Sequence, residues 1–288
     1  MSDETIAMGG AKQPTQPTQP TKSEQLAADN HIPTEYIDTE FQIPTDFIEL
    51  PSEGVFYENK KSKVEIKYLT ASEDDILYSP DLLKSGRVLD ALLEVAVIDK
   101  DIRPNDMLSG DRNYLLVAIR RTGLGDDYEP GEMECNSCHE KYNPVVDLAK
   151  LSQKKLEQQP DESGEYAVQM PVMKMNIKFR FLNGNDEKRM AKMAEFSSKS
   201  TGSFKVSKML TEKYLLQIME VNGQRDKGYI KKYISAMPMK DSAFFREYVK
   251  RLEPGIDLNY EFECPSCGTI EERDVPINTK LFYPDMDI

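Results

Sequence analysis

Four cysteines carry the sharpest chemical signal in this chain: Cys135 and Cys138 in "ECNSC", and Cys264 and Cys267 in "ECPSCG". Aligned at an offset of 129 residues, "MECNSCHEKYNPVVDL" falls on "FECPSCGTIEERDVPI", so the match runs beyond sulfur: Met133 on Phe262, Glu134 on Glu263, Ser137 on Ser266 and Val146 on Val275. The repeated unit is an extended segment, a tight Cys-x-x-Cys turn and a second extended segment. Each turn offers two thiolates, and zinc prefers four ligands in a tetrahedron. Two turns therefore complete one site.

A site made only of sulfur leaves no position for an activated water, so its expected role is structural. It would clamp residues 130–147 to 258–278 and replace part of the hydrophobic core that short hairpins lack. Cofactor and ligands are accordingly expected to be one structural zinc ion on Cys135, Cys138, Cys264 and Cys267. Iron in a rubredoxin-like site meets the same ligand count. A redox pair is the rival, but that chemistry favours one exposed Cys-x-x-Cys near a helix N-terminus rather than two in strand contexts. Cysteines without metal are the remaining reading. His139, next to Cys138, is expected as a surface or packing residue rather than a ligand.

Little else could do chemistry. Histidine occurs only at 31 and 139 and tryptophan is absent, so general bases are scarce. There is no phosphate loop, no His-Glu-x-x-His and no nucleophile elbow. The short glycine pattern in "RRTGLGDD" (120–127) reads as a turn, and Asp106 and Asp111 read as capping or turn carboxylates. The chain is expected not to be an enzyme.

The elements that must position the cysteines follow from periodicity. Residues 1–38, with "GGAKQPTQPTQPTK" at 9–22, read as a disordered or partner-ordered acidic arm, because repeated Pro removes backbone donors and Gln and Thr bury little apolar area. An α+β region follows over 39–128. Within it, Val55–Tyr57 and the alternating "KVEIKYL" are expected as a hairpin, "TASEDDILYS" as a helix start, and "GRVLDALLEVAVI" and "GDRNYLLVAIRR" as helices. The second of these should present Tyr114, Leu115, Ala118 and Ile119. The first ribbon half spans 129–150. A mainly helical insertion over 151–257 should contain one amphipathic strand, "VMKMNIKFRF", and helices including "KMLTEKYLLQIMEV" and "KDSAFFREYVKRL". The second ribbon half and a tail complete 258–288. The fold class is thus α+β, with zinc-ribbon-like β-hairpins closing around a mainly helical insertion.

At 288 residues the chain is long enough for a substantial core. Its charge of -13 argues against a direct nucleic-acid footprint, since phosphate binding needs basic surface. No apolar run approaches the roughly 20 residues needed to span a bilayer, and the first 30 residues hold no signal-peptide core, so no membrane contact and an intracellular location are expected.

The phrases "ELPSEGVFY" (49–57), "VEIKYLTASEDDIL" (64–77), "VLDALLEVAVID" (88–99) and "DRNYLLVAIRRTGLGDDY" (111–128), followed by "CNSC", resemble the baseplate hub assembly proteins of contractile-tailed, T4-like bacteriophages. The resemblance spans roughly 47–148, with "CPSCG" closing the domain; the arm and the long insertion depart from it. It implies a non-enzymatic role in building the tail baseplate hub, with hub or tape-measure proteins as partners. Synthesis in the host cytoplasm, and possible retention in the virion tail, would follow. The competing expectation is a zinc-ribbon adaptor in a phage transcription or replication complex.

Overall fold

Val64 and Ile66 alternate with charged residues, and both are fully buried on the inner face of strand β2 (Lys63–Lys67). This computed structural model describes residues 42–198 and 209–283; the arm expected over 1–38 lies outside them. The partner of β2 is β1 (Thr45–Glu49), with Ile48 opposite Val64. The expected strand at Val55–Tyr57 is instead part of a run of turns, with positive φ at Glu53 and Gly54. A Cβ at Gly54 would lie 2.4 Å from the Lys61 carbonyl oxygen, so the turn closes too tightly for a side chain. A buried carboxylate holds this loop: Asp111 accepts hydrogen bonds from the Ser52 amide, the Ser52 hydroxyl and the Tyr57 hydroxyl. Of the capping or turn role expected, Asp111 takes the second, as a buried tie for this loop. A loop drawn into the core has amides that water cannot reach, and an acceptor must be supplied from within.

Four helices follow: α1 (Asp74–Leu77), α2 (Pro80–Ser85), α3 (Val88–Ala96) and α4 (Ser109–Leu124). A 3-10 turn at Ala71–Glu73 leads into α1 and is closed by a capping box between Thr70 and Glu73. Helix α3 buries Val88, Leu92, Leu93 and Ala96. Helix α4 is covered on several sides, so Leu116 and Val117 are buried as well as Leu115 and Ile119, while Tyr114 and Ala118 are only half-buried. Two arginines enter with it. Arg112 donates to the Pro104 carbonyl at 2.7 Å and pairs with Asp90 and Glu187, and Arg120 donates to the carbonyls of Gly125 and Asp127. The glycine pattern expected as a turn instead begins inside α4, with Gly123 in its last turn and Gly125 capping its end.

After α4, strand β3 (Asp127–Tyr128) pairs with β6 (Val146–Asp147) around the hairpin of β4 (Met133–Glu134) and β5 (Lys141–Tyr142). Residues 151–257 contain more sheet than the one strand expected, beginning with β7 (Gln153–Lys154), which pairs with β11 (Gly255–Ile256). Strands β8 (Tyr166–Gln169), β9 (Asn176–Phe179) and β10 (Ile218–Val221) form an antiparallel sheet in the order β10-β9-β8. "KMLTEKYLLQIMEV" accordingly divides: Met209–Gln217 is helix α6, and Ile218–Val221 turns extended to pair with β9. Pairing satisfies an edge of β9 and buries Ile218 and Val221 completely, which outweighs continuation of the helix. Lys178 on β9 pairs with Asp161 at 2.9 Å, and Arg180, just past the strand, pairs with Asp186 at 2.7 Å, so both cations are answered within the chain. Helix α5 (Gly184–Ser198) begins after Asn183, whose side chain accepts from the Asp186 amide, and α7 (Lys227–Ala236) is capped by Asp226. Helix α8 (Met239–Leu252) buries Phe245 and Leu252. The methionines split between roles: Met170 is fully buried, whereas Met173 and Met193 are exposed.

Two apolar clusters result. One gathers β2, α3 and α4 with Val146, Leu148, Phe262, Val275 and Phe282; the other gathers the three-stranded sheet with α6, α7 and α8. Ribbon-like hairpins thus close around a mainly helical insertion in an α+β fold. Among the described residues, no helix is long and apolar enough to cross a membrane.

Candidate metal centre

Each Cys-x-x-Cys turn lies at the tip of a hairpin. The first joins β4 (Met133–Glu134) to β5 (Lys141–Tyr142), and the second joins β12 (Asn259–Glu263) to β13 (Ile270–Asp274). The internal repeat read from the letters is also a repeat of backbone geometry. The Cys135 amide donates to Glu140 O at 3.0 Å and the His139 amide to Cys135 O at 2.9 Å; 129 residues on, the Cys264 amide donates to Thr269 O at 2.9 Å and the Gly268 amide to Cys264 O at 2.8 Å. His139 and Gly268 both close their turns with left-handed backbone, at φ 60 and 71.

Anchorage comes from the first apolar cluster. Phe262 precedes the second turn and Val275 follows its returning strand, both buried, and Val146 occupies the corresponding place after the first hairpin. The Tyr128 hydroxyl donates to Pro276 O at 2.9 Å, tying the chain before the first turn to the chain after the second.

The fold brings all four predicted sulfurs together, within 4.8 Å of one another. Cys135 and Cys264 are buried, Cys138 and Cys267 exposed, and the close approaches cross between hairpins: Cys135 to Cys267 at 3.7 Å and Cys138 to Cys264 at 3.7 Å. Zinc–sulfur bonds of about 2.3 Å in a regular tetrahedron place sulfurs about 3.8 Å apart, so these edges have the size of a tetrathiolate cage. The donors therefore fit a four-coordinate soft metal. His139 is exposed, and its Nδ1 faces Glu134 Oε1 at 3.1 Å rather than joining the sulfurs.

Four thiols so close cannot all ionise without a cation to offset the charge. Hydrogen bonds from Thr269 pull Cys267 down to about 6, while Cys138 rises to about 12: its hydrogen bond with the Glu140 backbone is outweighed by partial desolvation and by the other three sulfurs.

Three neighbours of the sulfurs were not singled out in the sequence. Glu271 Oε1 accepts from the Asn136 amide at 2.8 Å, and Oε2 accepts from Asn136 Nδ2 at 3.0 Å. Arg273 Nη2 donates to the Glu134 carbonyl at 2.8 Å and pairs with Glu271. The available signal was a break in the repeat: at the same offset Asn136 falls on Pro265, and Tyr142 on Glu271.

An α+β protein closed by paired cysteine hairpins is the class that fold and site define. A family model described as T4 bacteriophage base plate protein matches residues 48–276, from the first hairpin through both cysteine pairs. The chain belongs to this family of T4 bacteriophage base plate proteins. No curated protein and no solved structure matches it.

Proposed function

We propose that the protein is a non-enzymatic component or assembly factor of the tail baseplate hub, held in shape by one structural zinc ion on Cys135, Cys138, Cys264 and Cys267. The observation that carries the reading is the four-sulfur cluster itself, closed across 129 residues of sequence inside a baseplate-family chain. With four protein ligands a metal there has no open position for substrate or water, so its contribution is to conformation. Each cysteine turn would supply two thiolates, and the turn amides that face the sulfurs, such as Ser137 N at 3.4 Å from Cys135 Sγ, would temper their charge.

In this reading the clasp fixes the hairpins so that helices and strand edges present a stable surface to hub and tape-measure proteins. Assembly would take place in the host cytoplasm, where thiols stay reduced. Pulldown of tagged full-length protein against individually expressed hub and tape-measure proteins tests the partner assignment, and mass spectrometry of purified tails tests retention. Binding to either class supports the proposal. Binding to neither, together with recovery on a transcription or replication complex, would replace it with the adaptor role.

A further inference from the structure

We infer that Glu271 is a positioning residue for the four-sulfur centre, holding the first cysteine loop against the second hairpin; the inference rests on the metal-site reading above. Asn136 lies between the two cysteines of the first turn, and both its backbone and its side-chain nitrogens donate to the Glu271 carboxylate. Arg273 is two residues further along β13, on the same face, and holds the Glu134 carbonyl and the carboxylate together. Glu134 and Asn136 are the residues immediately before and after Cys135. The pair on β13 thus grips the backbone on both sides of one buried sulfur, from the opposite half of the clasp.

The grip occurs once, not twice. In the second turn the place of Asn136 is taken by Pro265, which has no amide hydrogen, and the place of Glu271 falls to Tyr142, which carries no carboxylate. The second hairpin is therefore the frame, and the first loop is docked to it. Outer contacts of this kind orient ligands and commonly change metal affinity when removed.

Charge alone argues the other way. Glu271 Oε1 lies 3.8 Å from Cys135 Sγ, so a carboxylate beside a thiolate would weaken metal binding if electrostatics were its main effect. Glu271→Gln separates the two accounts. It removes the negative charge, yet leaves one acceptor for two Asn136 donors and turns its own amide toward the second.

The test is competition of reduced full-length protein with a chromophoric chelator for Zn²⁺, and absorption of the Co²⁺-substituted protein. Glu271→Gln and Glu271→Ala are expected to weaken zinc binding by roughly 10–100-fold and to alter the cobalt–thiolate bands. Lys250→Met, which removes the ion pair to Asp274 on the same strand, should change neither readout. A folded Glu271→Gln protein that binds zinc as tightly as the parent, or more tightly, overturns the inference. Should Glu271→Ala fail to fold, the near-isosteric Gln variant decides. If the parent chain binds neither Zn²⁺ nor Co²⁺, the metal-site reading falls and takes this inference with it; if the parent binds one ion and Glu271→Gln matches it, this inference alone falls.

Discussion

His139 and Gly268 occupy equivalent left-handed positions, but only glycine adopts that conformation without a steric penalty. His139→Gly should therefore raise stability by about 0.5–1 kcal/mol, while Gly268→Ala, whose Cβ would enter open space, should lower it by about 1 kcal/mol through backbone strain alone. Thermal melts of the metal-loaded proteins check both, and an unchanged metal content in His139→Gly would confirm that the ring is not a ligand. A second residue-scale effect belongs to Glu73. Burial pushes its carboxyl up, but hydrogen bonds from Lys67 Nζ and from Thr70 outweigh this and hold it down at about 2, against an ordinary value of 4.5. A lowered folded-state value stabilises above the unfolded value and ceases to do so as pH falls through the folded one. The stability difference between the parent and Glu73→Gln should accordingly be full above pH 4.5 and shrink toward pH 2, as read from urea unfolding across that range. Loss of the proposed metal in acid would affect both proteins and cancel in the difference.

At the scale of elements, helix α4 and strand β11 (Gly255–Ile256) meet backbone to backbone. A Cβ at Gly110 would lie 1.8 Å from the Pro254 carbonyl oxygen, and one at Gly255 would lie 2.9 Å from Gly110 Cα. Neither neighbour is the end of a flexible side chain. Gly110→Ala should cost about 3 kcal/mol or force the two elements apart. Gly123, near the other end of the same helix, faces open space, so Gly123→Ala should instead gain about 0.5–1 kcal/mol from helix propensity. Denaturant midpoints of the two variants should move in opposite directions. Periodicity located α3, α4 and α8 because each keeps an apolar stripe over at least two turns. It missed β10, where "QIMEV" continues a helical pattern and only the edge of β9 decides between states. It also missed β1, whose residues are largely exposed and offer no inward alternation.

Over the whole molecule, the two cysteine hairpins share one apolar cluster, whereas the three-stranded sheet and its helices build another. Removal of the proposed metal should therefore act unevenly. After chelation, or in Cys135→Ser, amides of β4, β5, β12 and β13 are expected to lose hydrogen-exchange protection together, while those of β8, β9 and β10 keep theirs, and the melting temperature should fall. Loss of protection in one hairpin alone would contradict a single shared site.

By itself the sequence determined the repeated cysteine turn, the likeness of its flanks and the amphipathic helices, because these depend on residues close together along the chain. Family membership was legible in the same local phrases. The repeat already pointed to convergence of the four sulfurs, and Cys135 and Cys267, 132 residues apart, do approach to 3.7 Å. Tertiary structure alone decided two further contacts, the inward turn of Asp111 to hold a loop and the reach of Glu271 to Asn136. Each of these joins groups far apart in sequence, and the physical reason they escaped the letters is the same. A donor or acceptor must find its partner across the fold, and no local pattern records where that partner will be.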